Sequence, residues 1–342
     1  MFNPKYTISD EIVIALSEVE HLTSDLKQIV IPSQVLEHIK KQCMVALTHF
    51  STQIEGNRLS LEQISGIIEK HKSYGLVRDE KEVKNYFLLL EKIPYLIDNY
   101  KNKITTELIL LCHLHMLEEI VEKGTSGKFR NVQNAIYEAG SGNLVYLPPE
   151  PKDIKPLVTD LCNWVNETRV HPIISAAVFH NQFVTVHPFI DGNGRSARLL
   201  SLYLLDAKGY DWKQIVHIDR YYADDREIYY QMLQQNYSHN YYNGRNDIDF
   251  TKWIKYYIEG LMVILRGTIN QVELYKTRNI LVNNRQSKII KYLETNKYIT
   301  TLLYARKFDI STRMATRDLS QLVEWEKLGV LGKARATKYF LK

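Results

Sequence analysis

A histidine, a carboxylate, two glycines and two arginines occur together between His187 and Arg198, a stretch that reads HPFIDGNGRSAR. Pro188 disfavours helical dihedral angles at the residue before it, so a helix should end at His187. The two glycines allow a bend in which successive backbone N–H groups face an anion. Arg195 and Arg198 are three residues apart, which places both on one face at the start of the next helix. These residue types predict a site for a metal-bound polyphosphate, such as a nucleotide.

The composition is that of an ordinary globular protein. The chain has 342 residues, of which 45% are hydrophobic and 24% are charged, so it can form more than one folding unit. No apolar run approaches the roughly 18 residues of a membrane span, and the first residues lack the apolar block of a signal peptide. Three widely spaced cysteines predict free thiols, a cytoplasmic location and no zinc site.

Positive charge is concentrated towards the end of the chain. Residues 276–342 carry 15 Lys and Arg but only 5 Asp and Glu, whereas the whole chain has a net charge of +5. The preceding part is therefore mildly acidic. This asymmetry indicates a separate basic module with an acidic partner, and nucleic acid is one candidate.

Apolar periodicity predicts a mainly helical protein. Gly56 follows a helical pattern that begins at Pro32, which predicts that this helix ends near Glu55. The nearly apolar run Ile173–Val186 predicts a buried central helix that leads into the stretch 187–198. The other predicted helices begin near Ser9, Ser60 and Asp153 or cover Lys81–Tyr100, Thr105–Val121, 195–207, 220–237 and 248–268.

The stretch from Gly124 to Pro149 has a different pattern. It is rich in glycine and contains two short alternating runs, Phe129–Ile136 and Leu144–Leu147. The sequence therefore predicts a β-hairpin with a Gly-Ser-Gly turn.

The stretch 187–198 resembles the Fic family of protein AMP-transferases, because it meets every fixed position of the pattern HPF-x-[D/E]-GNGR-x-x-R. The hairpin, at about 127–149, resembles the flap of that family. The resemblance extends over about residues 30–270 and implies a Fic helical bundle with a β-hairpin flap. It predicts an N-terminal helical region at 1–100 and a Fic core at 101–270. The remaining residues are predicted to form a connecting helix at 271–285 and a small winged-helix (α+β) domain at 286–342.

The resemblance also implies an activity. The protein would transfer AMP from ATP to a Ser, Thr or Tyr hydroxyl of a target protein, or of itself. His187 would act as the general base, a task that suits a neutral imidazole. Asp191 would hold Mg²⁺, which prefers carboxylate and phosphate oxygens. The target would dock on the flap at 127–149 by adding a strand.

The resemblance assigns several residues to the nucleotide. Arg195 would bind the β-phosphate and Arg198 the γ-phosphate. Tyr229 and Tyr230 occupy a helical position where relatives place aromatic residues near the base, although packing in the core is an equal alternative. Gly194 and the second arginine match the AMP-transferring pattern, which makes phosphate transfer of the Doc type the less favoured chemistry. The full predicted set is Gly192, Asn193, Gly194, Arg195, Arg198, Tyr229 and Tyr230.

Residues Ser51–Gly56, which read STQIEG, resemble the inhibitory motif of the family, [S/T]-x-x-x-E-[G/N]. We call these residues the inhibitory segment; it lies at the end of a predicted inhibitory helix at about 35–56. Glu55 would pair with Arg198 and so take the partner of the γ-phosphate, a charge-assisted contact that would inhibit the enzyme. Ser51 belongs to the same predicted regulatory site. The sequence leaves open whether AMP is also removed by this protein.

The C-terminal module is predicted to contain three helices and a strand pair. The third helix presents Arg313, Thr316 and Arg317 near its start, where a DNA-recognition helix would meet the nucleic acid, and Gly332–Thr337 would be the wing. The alternative is a module for protein contacts or for a homo-oligomer. An alternative function is therefore a transcriptional regulator whose Fic core only senses nucleotide. Transfer of a different nucleotide is a further alternative.

Overall fold

The computed structural model describes residues 2–122, 124–137, 140, 142–235, 238–277, 282–325, 327–332 and 337–342. It divides into two compact units, Met1–Thr268 and Ile269–Lys342. The first unit contains both the predicted N-terminal helical region and nearly all of the predicted Fic core. Among the described residues, no helix is both long and apolar enough to cross a lipid bilayer.

Among the described residues, twelve α-helices begin in the first unit, and the last of them continues past residue 268. Local sequence signals set several of their starts: Ser9, Ser60 and Thr105 each accept a hydrogen bond from the backbone of the first turn. The helices are α1 Asp10–Gln28, α2 Ser33–Ile54, α3 Leu61–Lys70, α4 Val77–Glu91, α5 Ile93–Asn99, α6 Thr106–Met116, α7 Pro151–Glu167, α8 Pro172–Val186, α9 Asn193–Ala207, α10 Asp219–Asp224, α11 Arg226–Gln234 and α12 Thr251–Thr277. Short 3₁₀ turns cover Trp212–Gln214 and Arg245–Asp247.

The central helix α8 is buried along nearly its whole length, as its apolar sequence predicts. It packs between α7 and α9. Because α8 ends at Val186 and α9 begins at Asn193, the core of the unit fixes both ends of the loop 187–192, and residues 193–198 form the first turns of α9.

The hairpin is shorter than predicted. Strand β1 covers Ile136–Tyr137 and pairs antiparallel with β2, Leu144–Tyr146, with an irregular register. The predicted first strand fails before residue 136 because its polar groups bond elsewhere. The backbone N–H of Arg130 donates to the carbonyl of Pro188 at 2.9 Å, and the amide of Asn134 donates to the carbonyl of Phe189 at 3.2 Å. Ser141, in the predicted turn, lies outside the described residues.

Other predicted boundaries also differ from the structure, and the helix predicted over Lys81–Tyr100 divides at Lys92 into α4 and α5. The predicted helix 220–237 divides at Asp225, which leaves helical geometry and caps α11 through its side chain. The helix predicted to reach Val121 ends at Met116, where the amide of Asn85 bonds the last carbonyls. The predicted connecting helix 271–285 is in part the continuation of α12, and residues 278–281 lie outside the described residues.

In its described residues, the second unit has three further helices followed by an antiparallel strand pair around one apolar core. Asp318 is fully buried there and accepts hydrogen bonds from Arg285 and Tyr304. This element order agrees with the predicted order, but residues 333–336 of the predicted wing are not described, and the winged-helix assignment stays a prediction. The elements are α13 Asn284–Thr295, α14 Thr301–Lys307, α15 Thr312–Glu324, β3 Leu328–Leu331 and β4 Lys338–Leu341.

Candidate functional site

The stretch 187–198 forms a tight connection between two helices. His187 ends α8 in the left-handed conformation, with φ 51° and ψ 58°, and Gly192 begins α9 with φ 79°. The start of α9 therefore faces the loop, and its free N–H groups and dipole favour a bound anion. Asp191 already takes one such donor, because its Oδ1 accepts from the N–H of Gly192 at 2.6 Å.

His187 is held as a neutral imidazole. Its Nδ1 lies 3.3 Å from the carbonyl oxygen of Val184, which can only accept, so Nδ1 carries the proton and Nε2 is left as an acceptor. Burial lowers the pKa of His187 to about 4. At neutral pH the ring is therefore able to accept a proton at Nε2, as a general base requires.

Two side chains lock the loop between His187 and α9. Asn193 bonds Phe189 in both directions at 2.9 Å, since its amide donates to the carbonyl of Phe189 and its carbonyl accepts from the N–H. His113 stacks on the buried Phe189 ring, with 3.6 Å between ring centroids. His113 accepts from the N–H of Gly127 through Nδ1 and so donates from Nε2 to the carbonyl of Asp191 at 3.1 Å. The side chain of Asn193 thus shapes the loop.

Arg130 joins the hairpin to this loop. It is buried, and its guanidinium donates to the carbonyls of His187 at 2.9 Å, Val132 at 3.1 Å and Pro149 at 2.5 Å. One cation therefore ties the segment that leads into β1, the segment that follows β2 and the general-base candidate together. Arginine fits this task because its donors form a rigid fork.

Asp191 is the one carboxylate in the loop, and it is only partly buried. Its Oδ1 accepts from Arg195 Nη2 at 2.9 Å, and its Oδ2 accepts from Arg78 Nη2, in α4, at 3.0 Å. Within the described part of the chain, no group of three acidic, histidine or cysteine side chains is placed to hold a metal. A single partly exposed carboxylate next to phosphate-binding groups still fits Mg²⁺, which commonly takes one or two carboxylates and completes its shell with phosphate and water.

Arg195 and Arg198 are both buried and both have unused donors. Among the described residues, Nε and Nη1 of Arg195 and Nη1 of Arg198 have no hydrogen-bond partner. Buried donors are rarely left unpaired, so these atoms point to an anion that the site is built to receive. The side chain of Arg195 lies between Asp191 and Glu82, whose Oε1 is 3.2 Å from Nη1.

Arg198 is engaged by the inhibitory segment. Its Nη2 donates to Oε1 of Glu55 at 2.9 Å and to the carbonyl of Ser51 at 2.8 Å, while Nε donates to the hydroxyl of Ser51 at 2.9 Å. Asp219 adds a second carboxylate, 3.3 Å from Nε. Burial by itself would lower the pKa of Arg198, but the two carboxylates outweigh it and raise the pKa. The structure thus brings together Ser51, Glu55 and Arg198.

Gly194 leaves the room that Glu55 occupies. A Cβ at Gly194 would lie 2.2 Å from Oε1 of Glu55 and 3.0 Å from Nη1 of Arg198. Any side chain at residue 194 would therefore displace the Glu55 carboxylate. Glycine is required at residue 194 by this close approach. The backbone conformation does not require it, since it is helical.

Gly194→Ala is expected to lower the free energy of unfolding by about 1–3 kcal/mol, the usual cost of an added methyl group in a filled site. In the Glu55→Gly background the same change should cost less, because the nearest clashing atom is gone. Urea unfolding of the wild type, the two single variants and the double variant gives the coupling free energy between residues 55 and 194. Equal costs in both backgrounds would contradict the packing of Glu55 against Gly194.

The two tyrosines predicted near the base lie in different surroundings. Tyr229 is 1% exposed, stacks on Tyr222 with 4.4 Å between ring centroids, and its hydroxyl is 3.0 Å from Nε2 of His180. Tyr229 is therefore packed as a core residue, the alternative that the sequence left open, and its base-contact role stays a prediction. Tyr230 is 45% exposed, and its hydroxyl donates to the carbonyl of Ile54 at 3.2 Å, at the end of the inhibitory helix α2.

Sequence reasoning missed the residues that support the motif. His113 lies in the apolar helical run LCHLHML and Arg130 lies in the hairpin stretch, and neither position indicates a contact with the loop. Arg78, Glu82 and Asp219 carried no local signal, because each contacts the loop from another element. A usable signal is present only in α4, where the polar positions 79, 82 and 86 share one helix face.

Comparison with known proteins agrees with this geometry. Residues 103–205 match the family model for the Fic/DOC family. The protein adenylyltransferase Fic of Aedes aegypti is 31% identical over 183 residues, which cover 52% of this chain and 35% of that protein. The protein adenylyltransferase Fic of Drosophila virilis is 29% identical over 209 residues, which cover 60% of this chain and 41% of that protein. This chain thus spans well under half the length of these relatives.

Solved structures show the same fold. A Fic family protein from Desulfovibrio desulfuricans superimposes with a TM-score of 0.73 at 21% identity, over 100% of this chain and 98% of that one. A Fic-1 fragment from Caenorhabditis elegans gives a TM-score of 0.62 at 22% identity, over 77% of this chain and 73% of that one. At these identities the similarity concerns the fold, and it covers both units only for the first protein.

Proposed function

We propose that this chain, whose residues 103–205 form a Fic domain, transfers the AMP of ATP to a hydroxyl of a protein substrate. One observation carries the proposal: two buried guanidiniums with unused donors lie at the start of α9, next to a neutral histidine. Anion-binding groups and a proton acceptor at one helix end suit nucleophilic attack on a polyphosphate. The names of the Aedes and Drosophila relatives support AMP as the transferred group.

The residues divide the work as follows. His187 Nε2 accepts the proton of the target hydroxyl as its oxygen forms a bond to the α-phosphorus. The bond from that phosphorus to the bridging oxygen of the β-phosphate breaks, and pyrophosphate leaves. Arg195 and Arg198 bind the β- and γ-phosphates and stabilise the charge that moves onto the leaving group. Catalysis is mainly positioning and electrostatic stabilisation, for which a loop locked by Asn193 and His113 is suited.

Asp191 would hold Mg²⁺ through its partly exposed carboxylate. One of its two arginine partners would first have to release a carboxylate oxygen of Asp191. Bound there, the ion would neutralise charge on the α- and β-phosphates. Arg78 is the more mobile of the two partners, since its side chain is 64% exposed and that of Arg195 is 2% exposed.

The hairpin is the proposed docking surface for the target. Tyr137 and Leu144 are 62% and 43% exposed, one on each strand. Within the described residues β1 pairs with β2 alone, so its outer edge can accept an extended segment of another protein, whereas the carbonyl of Val145 in β2 already accepts from Nε2 of Gln234 at 2.9 Å. Because Arg130 donates to the carbonyl of His187, it would fix the position of a docked segment relative to His187.

We also propose that the described conformation is self-inhibited. Glu55 occupies Nη2 of Arg198, one of the donors that would bind the γ-phosphate, and its carboxylate adds a negative charge where phosphate would bind. ATP would then bind in an unproductive position. A regulator of the protein would act by withdrawing the inhibitory segment.

Intact-mass measurement after incubation with ATP and Mg²⁺ tests the proposed activity. We expect the Glu55→Gly protein to gain the mass of one or more AMP groups and the wild-type protein to gain far less. Competition among ATP, UTP, GTP and CTP identifies the nucleotide. A gain in mass from another nucleotide would show that this nucleotide, and not ATP, is the substrate. No gain from any of the four would contradict nucleotide transfer. Incubating the modified protein without ATP shows whether AMP is also removed.

A second proposed role, nucleic-acid binding, concerns the second unit alone. Arg313, Thr316 and Arg317 are exposed on α15, and no ion pair of either arginine is observed among the described residues. Such a surface supports contact with DNA phosphates and base edges. We expect Arg313→Ala with Arg317→Ala to weaken binding to duplex DNA in a gel shift and to reduce its dependence on salt. Binding that does not fall as salt is added would count against phosphate contacts and favour a protein partner.

A further inference from the structure

Helix α4 presents a buried polar face to the phosphate site. Asp79, Glu82 and Tyr86 are spaced by three and four residues, so they lie on one side of the helix, and all three are buried. Asp79 binds Arg58, and Tyr86 accepts from the hydroxyl of Ser51 at 2.9 Å. Glu82 lies between these two and contacts Arg195 of the motif. This face therefore connects α4 both to the region of the inhibitory segment and to α9.

Both oxygens of Glu82 face partners. Oε2 accepts from the amide of Asn57 at 3.0 Å, whereas Oε1 forms ion pairs without hydrogen-bond geometry, 3.2 Å from Nη1 of Arg195 and 3.7 Å from Nε of Arg78. Asn57 is itself fixed, because its amide also donates to the carbonyl of Asp79 at 3.0 Å and its oxygen accepts from the N–H of Leu59 at 3.1 Å. A carboxylate whose position is fixed by Asn57 gives a rigid support for a guanidinium.

Arg195 has one other carboxylate partner, Asp191, and the two partners differ in exposure. The side chain of Asp191 is 31% exposed and that of Glu82 is 9% exposed. Under the proposed function, Asp191 turns towards a metal after releasing Arg78, and its Oδ1 is shared between Arg195 and the N–H of Gly192. The contact of Arg195 with Glu82 involves no metal ligand, so we expect it to stay in place when the nucleotide is bound.

We propose that Glu82 is a positioning residue that holds Arg195 in place to bind the β-phosphate of a nucleoside di- or triphosphate. This inference rests on the proposed function, because it assigns Arg195 to the β-phosphate. It predicts that loss of the Glu82 charge impairs recognition of the β-phosphate and leaves recognition of the nucleoside monophosphate intact. A carboxylate that only stabilised the fold would affect both ligands equally.

Glu82→Gln in the Glu55→Gly background tests this proposal by calorimetric titration with ADP and with AMP. Glutamine keeps the size of the side chain and can still accept from Asn57, but it loses the charge that faces Arg195. We expect the affinity for ADP to fall about tenfold, as when one charge-assisted contact is weakened, and the affinity for AMP to change less than twofold. An unchanged or higher affinity for ADP would overturn the proposal, as would an equal loss for both ligands.

Glu80→Gln is the matched control. Glu80 is a buried carboxylate of the same helix that accepts from Ser73 and from the N–H of Tyr74, and it contacts neither arginine. Its substitution should leave the ratio of ADP to AMP affinity unchanged. If Glu82→Gln does not fold, Glu82→Asp keeps the charge on a shorter stem and should give a smaller loss of ADP affinity. These titrations need no AMP transfer, so they can fail or succeed independently of the mass measurement on the Glu55→Gly protein.

Discussion

Glu55→Gly is expected to raise the rate of AMP transfer about tenfold to a hundredfold. The substitution removes a charge-assisted hydrogen bond to Arg198 in a site where the guanidinium is fully buried. Such a bond contributes about 1.5–3 kcal/mol, and each 1.4 kcal/mol corresponds to a factor of ten. Incorporation of labelled ATP into the protein itself, followed over time, measures the rate.

Glu62→Gly provides the control for this prediction. Glu62 is exposed in the first turn of α3, a few residues after the inhibitory segment, and it belongs to no part of the site. Its substitution introduces glycine into a helix without freeing Arg198, so labelling should stay at the wild-type level. If Glu55→Gly also stays at that level, the Glu55–Arg198 contact does not inhibit the enzyme.

His187→Ala is expected to reduce AMP transfer by about 10²–10⁴-fold in the Glu55→Gly background, the range that a general base contributes. Binding of ADP should change little, because the phosphate-binding donors lie on α9 and the imidazole is not among them. The initial rate of labelling measures AMP transfer, and calorimetric titration measures ADP affinity. A fall in the rate alone indicates a lost base, whereas a fall in both indicates a lost binding site.

The matched histidine for this experiment is His21, which is exposed on α1. His21→Ala should leave both transfer and ADP binding at the level of the parent protein. Retained AMP transfer in His187→Ala would show that His187 is not the general base. It would favour the alternative in which the Fic domain only senses nucleotide and the second unit carries the regulatory function.

Expectations from the sequence were most accurate where the cause was local. The ends of α2 and α8 follow from Gly56 and from the His187-Pro188 pair, and the start of α3 follows from Ser60. The hairpin was anticipated in place but not in length, because Arg130 and Asn134 bond the loop of the motif. The predicted helix 220–237 failed at Asp225 because that side chain caps a new helix, an option that apolar periodicity does not reveal.

The residues of the site likewise fall into those with a local sequence signal and those that only packing brings together. His187, Asp191, Arg195 and Arg198 were identified because they lie within one short stretch. Tyr229 was assigned to the nucleotide, yet its ring is stacked in the core, since an aromatic residue on a helix has the same sequence pattern in either setting. His113 and Arg130 were not recognised as supports of the loop. Their contacts depend on where α6 and the hairpin pack, which no local pattern records.

The sequence by itself determined the chemistry of this protein: a histidine at a helix end, an anion-binding turn and two arginines are contiguous, so their proximity needs no folding to establish. The tertiary structure decided which charges those arginines meet. Glu55 and Arg198 are 143 residues apart, and Arg78 reaches Asp191 across 113 residues. Buried guanidiniums require carboxylate partners, but any of the 39 acidic residues could supply them. Only the packing of α2 and α4 against α9 selects Glu55 and Glu82.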